Sequence, residues 1–267
     1  MTSPGPAAAL SSAYSATAEA WQRGPGRIYD RLAEAVVARC PVPVAGLTAL
    51  DLGAGTGAAS RALVGAGAAR VVAVDAAEGM VAYAAACRPP AAVADALALP
   101  FADASFGVTV AAFSLNHVAD PGAGLAEAAR VTRRGGAVLA SAYAADDSHP
   151  VKAAVEGALV AFGWACEPWF ESLRADAIPK LATLEAAGRV VGEAGLAADV
   201  TAVRVPFPDL DARDLVAWRL GMAQHAPFVA SLAPAEQEAL AADAVARLGP
   251  VWPVLERAVI LVRAVRP

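Results

Sequence analysis

The chain has 267 residues, of which 57% are hydrophobic and 18% are charged, and its formal net charge is −5. This length predicts one core fold with an insertion or a partial cap. No stretch approaches the ~20 bulky apolar residues of a bilayer span, and the acidic balance argues against a broad nucleic-acid surface. We therefore expect no membrane partner and no nucleic acid, and a monomer or homodimer. The first twelve residues lack the features of a secretory signal, which predicts a cytoplasmic location.

Helical spacing covers two segments near the start, residues 13–23 and 28–40, separated by the breaker Gly24-Pro25-Gly26. Beyond residue 43, short apolar runs alternate with alanine-rich helical stretches, which is typical of a parallel α/β sheet. Strands are predicted near residues 47–52, 70–74, 91–94, 108–113 and 137–143, with helices in the gaps.

The alternation stops twice in the second half of the chain. Residues 149–174 and 212–248 are helical in pattern, and they flank a predicted helix over 181–195 and a strand over 199–206. A last strand is predicted at 258–265. We expect one α/β core with two helical insertions over one edge. The predicted parts are an N-terminal helical lid (1–44), a cofactor-binding α/β core (45–144), a helical cap insertion (145–180) and the rest of the core (181–267) with a second insertion at about 210–250.

A glycine-rich segment, ALDLGAGTGAAS, occupies residues 49–60 between an apolar run and an alanine-rich one. Glycines at 53, 55 and 57 allow positive φ and a close ligand approach, and the following helix presents free N–H groups. Taken alone, these glycines leave three ligands open: a dinucleotide pyrophosphate, a nucleotide phosphate, or a nucleoside without phosphate.

Three carboxylates near the ends of the first three strands narrow this choice. Asp75 ends the second strand, about 20 residues after the loop, where a carboxylate can accept both hydroxyls of a ribose. Asp95 ends the third strand and could accept a hydrogen bond from an adenine amino group. Asp51 directly precedes the glycines, which suits a cationic ligand better than a pyrophosphate. Three carboxylates without a phosphate-binding Lys or Arg point to S-adenosylmethionine.

Five segments, in this order, resemble the class I S-adenosylmethionine-dependent methyltransferases, close to the small-molecule group of the ubiquinone and menaquinone biosynthesis type. They are residues 50–57 (LDLGAGTG), 74–80 (VDAAEGM), 94–101 (ADALALPF), 113–121 (FSLNHVADP) and 130–136 (RVTRRGG). The resemblance implies an α/β, Rossmann-like, seven-stranded sheet of order 3-2-1-4-5-7-6, with the last strand antiparallel and helices on both faces. The insertions would add a helical cap.

The resemblance also implies which residues contact the cofactor. These are Gly53, Gly55, Asp75, Met80, Asp95, Ala96 and Ser114. Further candidates for the cofactor site are Tyr14, Asp51, Ala54, Thr56, Gly57, Ala76 and Leu97.

His117 is the candidate catalytic residue, because it follows the fourth strand at the carboxyl edge of the sheet, where ligands bind in this topology. Its imidazole could take a proton from the acceptor or merely orient it, and a packing role is equally open. Aromatic side chains suit a site that must exclude water. The candidate substrate-binding residues are Trp21, Tyr29, Asn116, Trp164, Trp169, Phe170, Met222 and His225.

The sequence therefore predicts methyl transfer to an apolar, ring-containing small molecule at O, N or C, without a metal. The Asp and Asp-Asn set of metal-dependent catechol-type enzymes is missing, as is the Asn/Asp-Pro-Pro-aromatic stretch of enzymes that methylate DNA amino groups. Two alternatives stay open: a cyclase or binding protein that holds the cofactor without transferring methyl, and a nicotinamide-dependent oxidoreductase, which Asp51 and Asp95 disfavour.

Overall fold

A computed structural model describes residues 5–267, apart from the side chain of Pro6. Seven strands form a single sheet of order β3-β2-β1-β4-β5-β7-β6, which confirms the predicted order. The first five strands pair in parallel, and the last strand runs antiparallel to both of its neighbours. The strands are β1 (Thr48–Leu52), β2 (Arg70–Asp75), β3 (Ala91–Val93), β4 (Phe106–Ala112), β5 (Thr132–Tyr143), β6 (Ala198–Phe207) and β7 (Leu255–Val265).

Twelve α-helices lie among the described residues, 5–267. They are α1 (Pro6–Ser15), α2 (Ala18–Arg23), α3 (Gly26–Val37), α4 (Ala58–Gly65), α5 (Glu78–Ala82), α6 (Pro121–Val131), α7 (Pro150–Ala161), α8 (Pro168–Ser172), α9 (Leu184–Glu193), α10 (Ala212–Leu220), α11 (Ala226–Ser231) and α12 (Pro234–Leu248). None of them has the length and apolar character needed to cross a bilayer.

The sheet is covered on both faces, because its central strands are apolar on both sides. One buried cluster joins residues of α3, α4, α7, α10 and α12 to the sheet, and a second joins residues of α6 and α9 to the opposite face. The two predicted insertions meet on the first of these faces, where α12 and α10 pack against α7. The predicted insertions therefore cover one face of the sheet together with α3 and α4.

The N-terminal helices differ from the prediction in their boundaries. The segment 13–23 is not one helix, because α1 ends at Ser15 and α2 begins at Ala18. The Thr17 hydroxyl donates to the carbonyls of Ala13 and Tyr14, and such local side-chain bonds compete with helix continuation. Helix α3 begins at Gly26, directly after Pro25. The division into a lid, core and caps stays a prediction, and residues 1–4 of the predicted lid lie outside the described residues.

Candidate active site

A cavity opens at the carboxyl ends of β1, β2 and β4, with about 1040 Å³ of space including its mouth. Parallel strands end at this edge, and ligands of open α/β sheets bind there. Many of the sequence-predicted site residues line it together: Tyr14, Trp21, Tyr29, Asp51, Gly53, Ala54, Gly55, Thr56, Asp75, Ala76, Met80, Asp95, Ala96, Ser114 and His117.

The glycine loop forms the floor of this cavity. Gly53 has a φ of 72°, and a Cβ placed on it would lie 2.2 Å from the Cβ of Ser114. The Ser114 hydroxyl donates to the carbonyl of Leu52 at 2.7 Å, so this side chain fixes the loop to the end of β4. No larger residue fits at position 53 without displacing Ser114. At position 55, by contrast, an added Cβ would meet no atom within 4 Å, although the φ of 52° still favours glycine.

Asp75 links the glycine loop to the end of β2. Its Oδ2 accepts the N–H of Gly55 at 2.7 Å and its Oδ1 accepts the N–H of Ala77 at 2.8 Å. Burial raises the pKa of this carboxyl, while the two backbone bonds lower it. The carboxylate is thus held in one orientation at the cavity wall, with lone pairs left for a ligand.

Asp51 lies deeper, at the end of β1, and only 1% of its surface is exposed. Its Oδ2 accepts the Ser60 hydroxyl at 2.6 Å. Burial raises its pKa to about 6, and the Ser60 bond and the charge of Arg88 oppose that rise. Asp51 is therefore a carboxyl whose charge depends on what occupies the cavity beside it.

Sequence reasoning missed Arg88. Its Nη1 donates to the carbonyls of Gly55 at 2.8 Å and Met80 at 2.9 Å, so it joins the glycine loop to α5. It is the only charged residue between Glu78 and Asp95, which is the one signal in the sequence that could have drawn attention to it. Its charge acts on both Asp51 and Asp75.

The third strand contributes Asp95 and its neighbours. The Asp95 Oδ1 accepts the N–H of Leu97 at 2.9 Å, which fixes a tight turn after β3 and leaves the carboxylate exposed at the cavity. Leu97 itself lies behind this turn, and Gly57 lies behind the glycine loop, where it precedes α4 with a φ of 93°. Neither is among the residues that line the cavity.

Helix α1 covers one side of the cavity by packing on α5. The Ser11 hydroxyl donates to the carbonyl of Ala76 at 2.8 Å, and the N–H of Gly79 donates to the Ser15 hydroxyl at 3.3 Å. A Cβ on Gly79 would lie 2.0 Å from the Ser15 carbonyl oxygen. Gly79 is thus required for the close approach of the two helices, a role that sequence reasoning missed.

Four rings stand over the glycine loop. The Tyr14 ring lies 5.4 Å from Trp21 and 5.6 Å from His117, and the Trp21 ring lies 4.8 Å from Tyr29. Burial raises the pKa of Tyr14 well above its ordinary value and lowers the pKa of His117 to about 4. At neutral pH the phenol is therefore protonated and the imidazole is neutral.

Several predicted substrate residues are placed away from the cavity lining. Trp164 and His225 pack edge to face in the buried core, with ring centroids 5.0 Å apart. Trp164 donates to the carbonyl of Gln224 at 3.2 Å, and His225 Nδ1 is bonded to the carbonyl of Arg219 at 2.8 Å. Both are occupied in joining the two insertions, and burial lowers the pKa of His225 to about 3.

The other predicted substrate residues lie nearer to the lid. Trp169 and Phe170 pack together on α8, which contacts α1, and Met222 packs beside the cluster that contains Trp21. Asn116 is buried next to His117, and its Oδ1 has no hydrogen-bond partner in the part of the chain that the structure describes.

Comparisons with known proteins agree with this geometry. Residues 50–140 match the family model of the methyltransferase domain. The chain is 42% identical over 115 residues to a demethylmenaquinone methyltransferase of Clavibacter sepedonicus, covering 41% of this chain and 46% of that protein. It is 37% identical over 139 residues to the demethylmenaquinone methyltransferase of Renibacterium salmoninarum, covering 51% and 55%. The chain thus spans about half the length of these curated relatives.

Among solved structures, the fold is similar to a chain in the complex between the Haloferax volcanii Trm112 methyltransferase activator and a methyltransferase. The TM-score is 0.59 at 20% identity, and the match covers 95% of this chain and 97% of that one. At this identity the likeness concerns the fold alone.

The sheet order, the cavity at its carboxyl edge and the domain match define the class: the chain carries a class I S-adenosylmethionine-dependent methyltransferase domain, as its motifs predicted. Within that class it is similar to the demethylmenaquinone methyltransferases, which confirms the group that the sequence resembles.

The residues present fit the cofactor of this class. The floor at Gly53 and Gly55 admits a ligand close to the backbone, and the acidic groups at the ends of β1, β2 and β3 are hydrogen-bond acceptors. An adenosine with its hydroxyl and amino groups, extended by an ammonium group, supplies the donors that such acceptors require. Within residues 5–267, no group of three or more His, Cys, Asp or Glu side chains is gathered that could hold a metal ion.

Proposed function

We propose that the protein transfers a methyl group from S-adenosylmethionine to a ring-containing, mostly apolar small molecule. The observation that carries this proposal is the Asp75 carboxylate, fixed by Gly55 and Ala77 at the cavity wall between two other acidic strand ends. Such a set suits a cationic nucleoside and repels a pyrophosphate. This supports the methyltransferase over nicotinamide chemistry.

We assign the carboxylates by their position along the sheet. Asp75 would accept the ribose hydroxyls, because it ends the second strand beside the glycine loop. Asp95, on the next strand, would accept the adenine amino group, with Ala96 beside it. Asp51, on the opposite side of Asp75, would face the ammonium group, whose charge would hold the Asp51 carboxyl ionised.

The bound cofactor supplies a methyl group on a positively charged sulfur, and the protein must align the acceptor and exclude water. The rings of Tyr14 and Trp21 form an apolar wall suited to that task. His117, which is neutral at physiological pH, would accept a hydrogen bond or a proton from the acceptor group. Its low pKa makes it a weak base, so orientation of the acceptor is its larger role.

We infer the chemical class of the methyl acceptor from the shape of this cavity, and not from the substrates of the similar proteins. The family match begins at residue 50, whereas the aromatic side chains that wall the cavity, Tyr14, Trp21 and Tyr29, precede it in the chain. The aromatic walls at Trp21 and Tyr29 favour a planar ring.

The proposal is tested by incubating the full chain with methyl-labelled S-adenosylmethionine and a library of cyclic small molecules. We expect a labelled product whose mass is increased by one methyl group. An isomer of the acceptor without label would support the alternative of a cyclase that retains the cofactor. Absence of cofactor binding in a calorimetric titration would refute both.

A further inference from the structure

A second polar site lies behind the wall of the cavity. Tyr29 and Phe113 line the cavity, and both contact Tyr143, with ring centroids 6.2 and 4.6 Å away. Behind Tyr143 is the guanidinium of Arg257, 3.8 Å from the ring centroid. We call the set Tyr143, Asp147, Trp218, Arg219 and Arg257 the arginine cluster. It joins the end of β5 to β7 and to α10 of the second insertion.

The ion pair of Arg257 and Asp147 is the fixed part of this cluster. Arg257 is 2% exposed, and its Nε and Nη2 donate to Asp147 at 2.9 and 2.8 Å. Lys152 also donates to Asp147, at 2.7 Å. One carboxylate is thus shared by two cations, and Nη1 of Arg257 is left without a partner among residues 5–267.

Arg219 adds a further positive charge. The guanidinium lies 5.4 Å from the Trp218 ring, and no ion pair or side-chain hydrogen bond is made to it by any of residues 5–267. Glu156 is the acidic side chain whose charge acts on it, and that residue is exposed. Burial and the neighbouring Arg257 lower the pKa of Arg219 to about 10, so it stays charged at neutral pH.

Four polar atoms of this cluster have no partner in the described part of the chain, and they share one chemical property. They are the Tyr143 hydroxyl, Nε1 of Trp218, Nε of Arg219 and Nη1 of Arg257. The indole and guanidinium nitrogens are donors only, and the phenol can donate. Buried groups without partners are costly and are rare in native proteins. What the cluster lacks is an acceptor, and the excess of cations favours a negatively charged one.

We propose that the arginine cluster binds a carboxylate of the acceptor molecule, so that the substrate of the proposed methyl transfer is a ring carboxylic acid. The guanidinium fork matches a carboxylate in geometry, and the neighbouring aromatic side chains Tyr29, Phe113 and Trp218 match a ring. This inference rests on the proposed function for the reaction, but the binding of the acid can be measured without it.

The test compares benzoate and 4-hydroxybenzoate with their amides, and with phenyl phosphate, by calorimetric titration into the full chain. We expect each acid to bind at least tenfold more tightly than its amide. Equal binding of acid and amide, or no binding of either, would overturn the proposal and leave solvent as the partner of these donors. Tighter binding of phenyl phosphate would overturn the choice of a carboxylate.

Variants assign this binding to the cluster. Arg219→Gln should remove the preference for acid over amide, Arg219→Lys should retain part of it, and Arg213→Gln should leave it unchanged. Arg213 is the matched control, because it is an exposed arginine of the same helix that makes no ion pair with residues 5–267. Tyr143→Phe removes an unpartnered hydroxyl. This variant should fold normally, but its affinity for the acid should fall severalfold.

The same samples are titrated with S-adenosylmethionine. If the cofactor binds and the acid does not, only the proposed carboxylate binding by the arginine cluster is refuted. If the acid binds and the cofactor does not, only the proposed methyl transfer is refuted.

Discussion

The carboxylate of Asp75 accepts the N–H of Gly55 at 2.7 Å, and this contact joins two residues that are 20 positions apart in the sequence. One oxygen is bonded to the glycine loop and the other to Ala77 at the start of α5. The side chain that would bind the ribose also fixes the loop that would face the rest of the cofactor. Loop geometry and cofactor binding are therefore coupled through one residue.

Replacing Asp75 by Asn separates these two roles. The amide can accept one backbone N–H, but it loses the charge and one acceptor, so the affinity for S-adenosylmethionine should fall at least tenfold. Calorimetric titration measures this, with Glu238→Gln, an exposed carboxylate of α12, as the matched control. Unchanged affinity in Asp75→Asn would contradict the role assigned to Asp75.

Replacing Arg88 by Met should loosen the glycine loop, because it removes side-chain hydrogen bonds that hold the loop in place. Without the guanidinium, the carbonyls of Gly55 and Met80 lose their donor, and the charge that stabilises Asp51 and Asp75 is gone. We expect severalfold weaker cofactor binding and faster hydrogen exchange at residues 53–57. Arg189→Met is the control, because Arg189 is an exposed arginine of α9 that pairs with Glu185 in the same helix. Equal effects of the two changes would contradict a specific role for Arg88.

His117→Gln should leave cofactor binding intact and lower turnover. Because the pKa of His117 is about 4, the imidazole is unprotonated over the whole range from about pH 5.5 to 8. The ratio of wild-type to variant turnover should therefore be constant across this range, at roughly a hundredfold for a residue that orients the acceptor. A ratio that changes around pH 6.5 would show an ordinary histidine pKa, and a ratio of one would assign His117 to packing.

The raised pKa of Asp51 predicts that the free energy of unfolding depends on pH. Burial raises its pKa from 3.8 to about 6 in the folded chain, so its favourable contribution is complete below pH 3.8 and is lost as the pH rises through 6. The rise corresponds to roughly 3 kcal/mol. Asp51→Asn should thus match the wild type near pH 4 and gain stability relative to it up to about pH 7, measured by denaturant unfolding without cofactor.

The amide oxygen introduced by Asp51→Asn would still accept the Ser60 hydroxyl, so packing is conserved in this variant. A difference in the free energy of unfolding that stays constant between about pH 4 and 7 would contradict the raised pKa.

The sheet and its three acidic strand ends were predictable, because apolar runs mark parallel strands and parallel strands end at one edge. Asp51, Asp75 and Asp95 meet at the cavity for that reason alone. What the sequence could not supply was the direction of side chains in the two insertions. Trp164 and His225 were expected near the substrate, but each is the other's packing partner in the core.

Contacts between distant segments were equally hidden. Arg88 donates to the carbonyl of Gly55, 33 residues earlier in the chain. Position 79 requires glycine because α1 packs directly against its backbone. The arginine cluster draws on residues from β5, β7 and α10, whose nearness depends on how the second insertion folds over the sheet. The spacing of residues within one helix or strand does not predict contacts between elements that are distant in the sequence.

The most direct test of the proposed cofactor site is a calorimetric titration of S-adenosylmethionine into the full chain and into Asp75→Ala. We predict saturable binding at one site in the wild-type chain and loss of binding in the folded variant. No binding to the wild-type chain, or equal binding to both, would contradict the assignment of this cavity as an S-adenosylmethionine site.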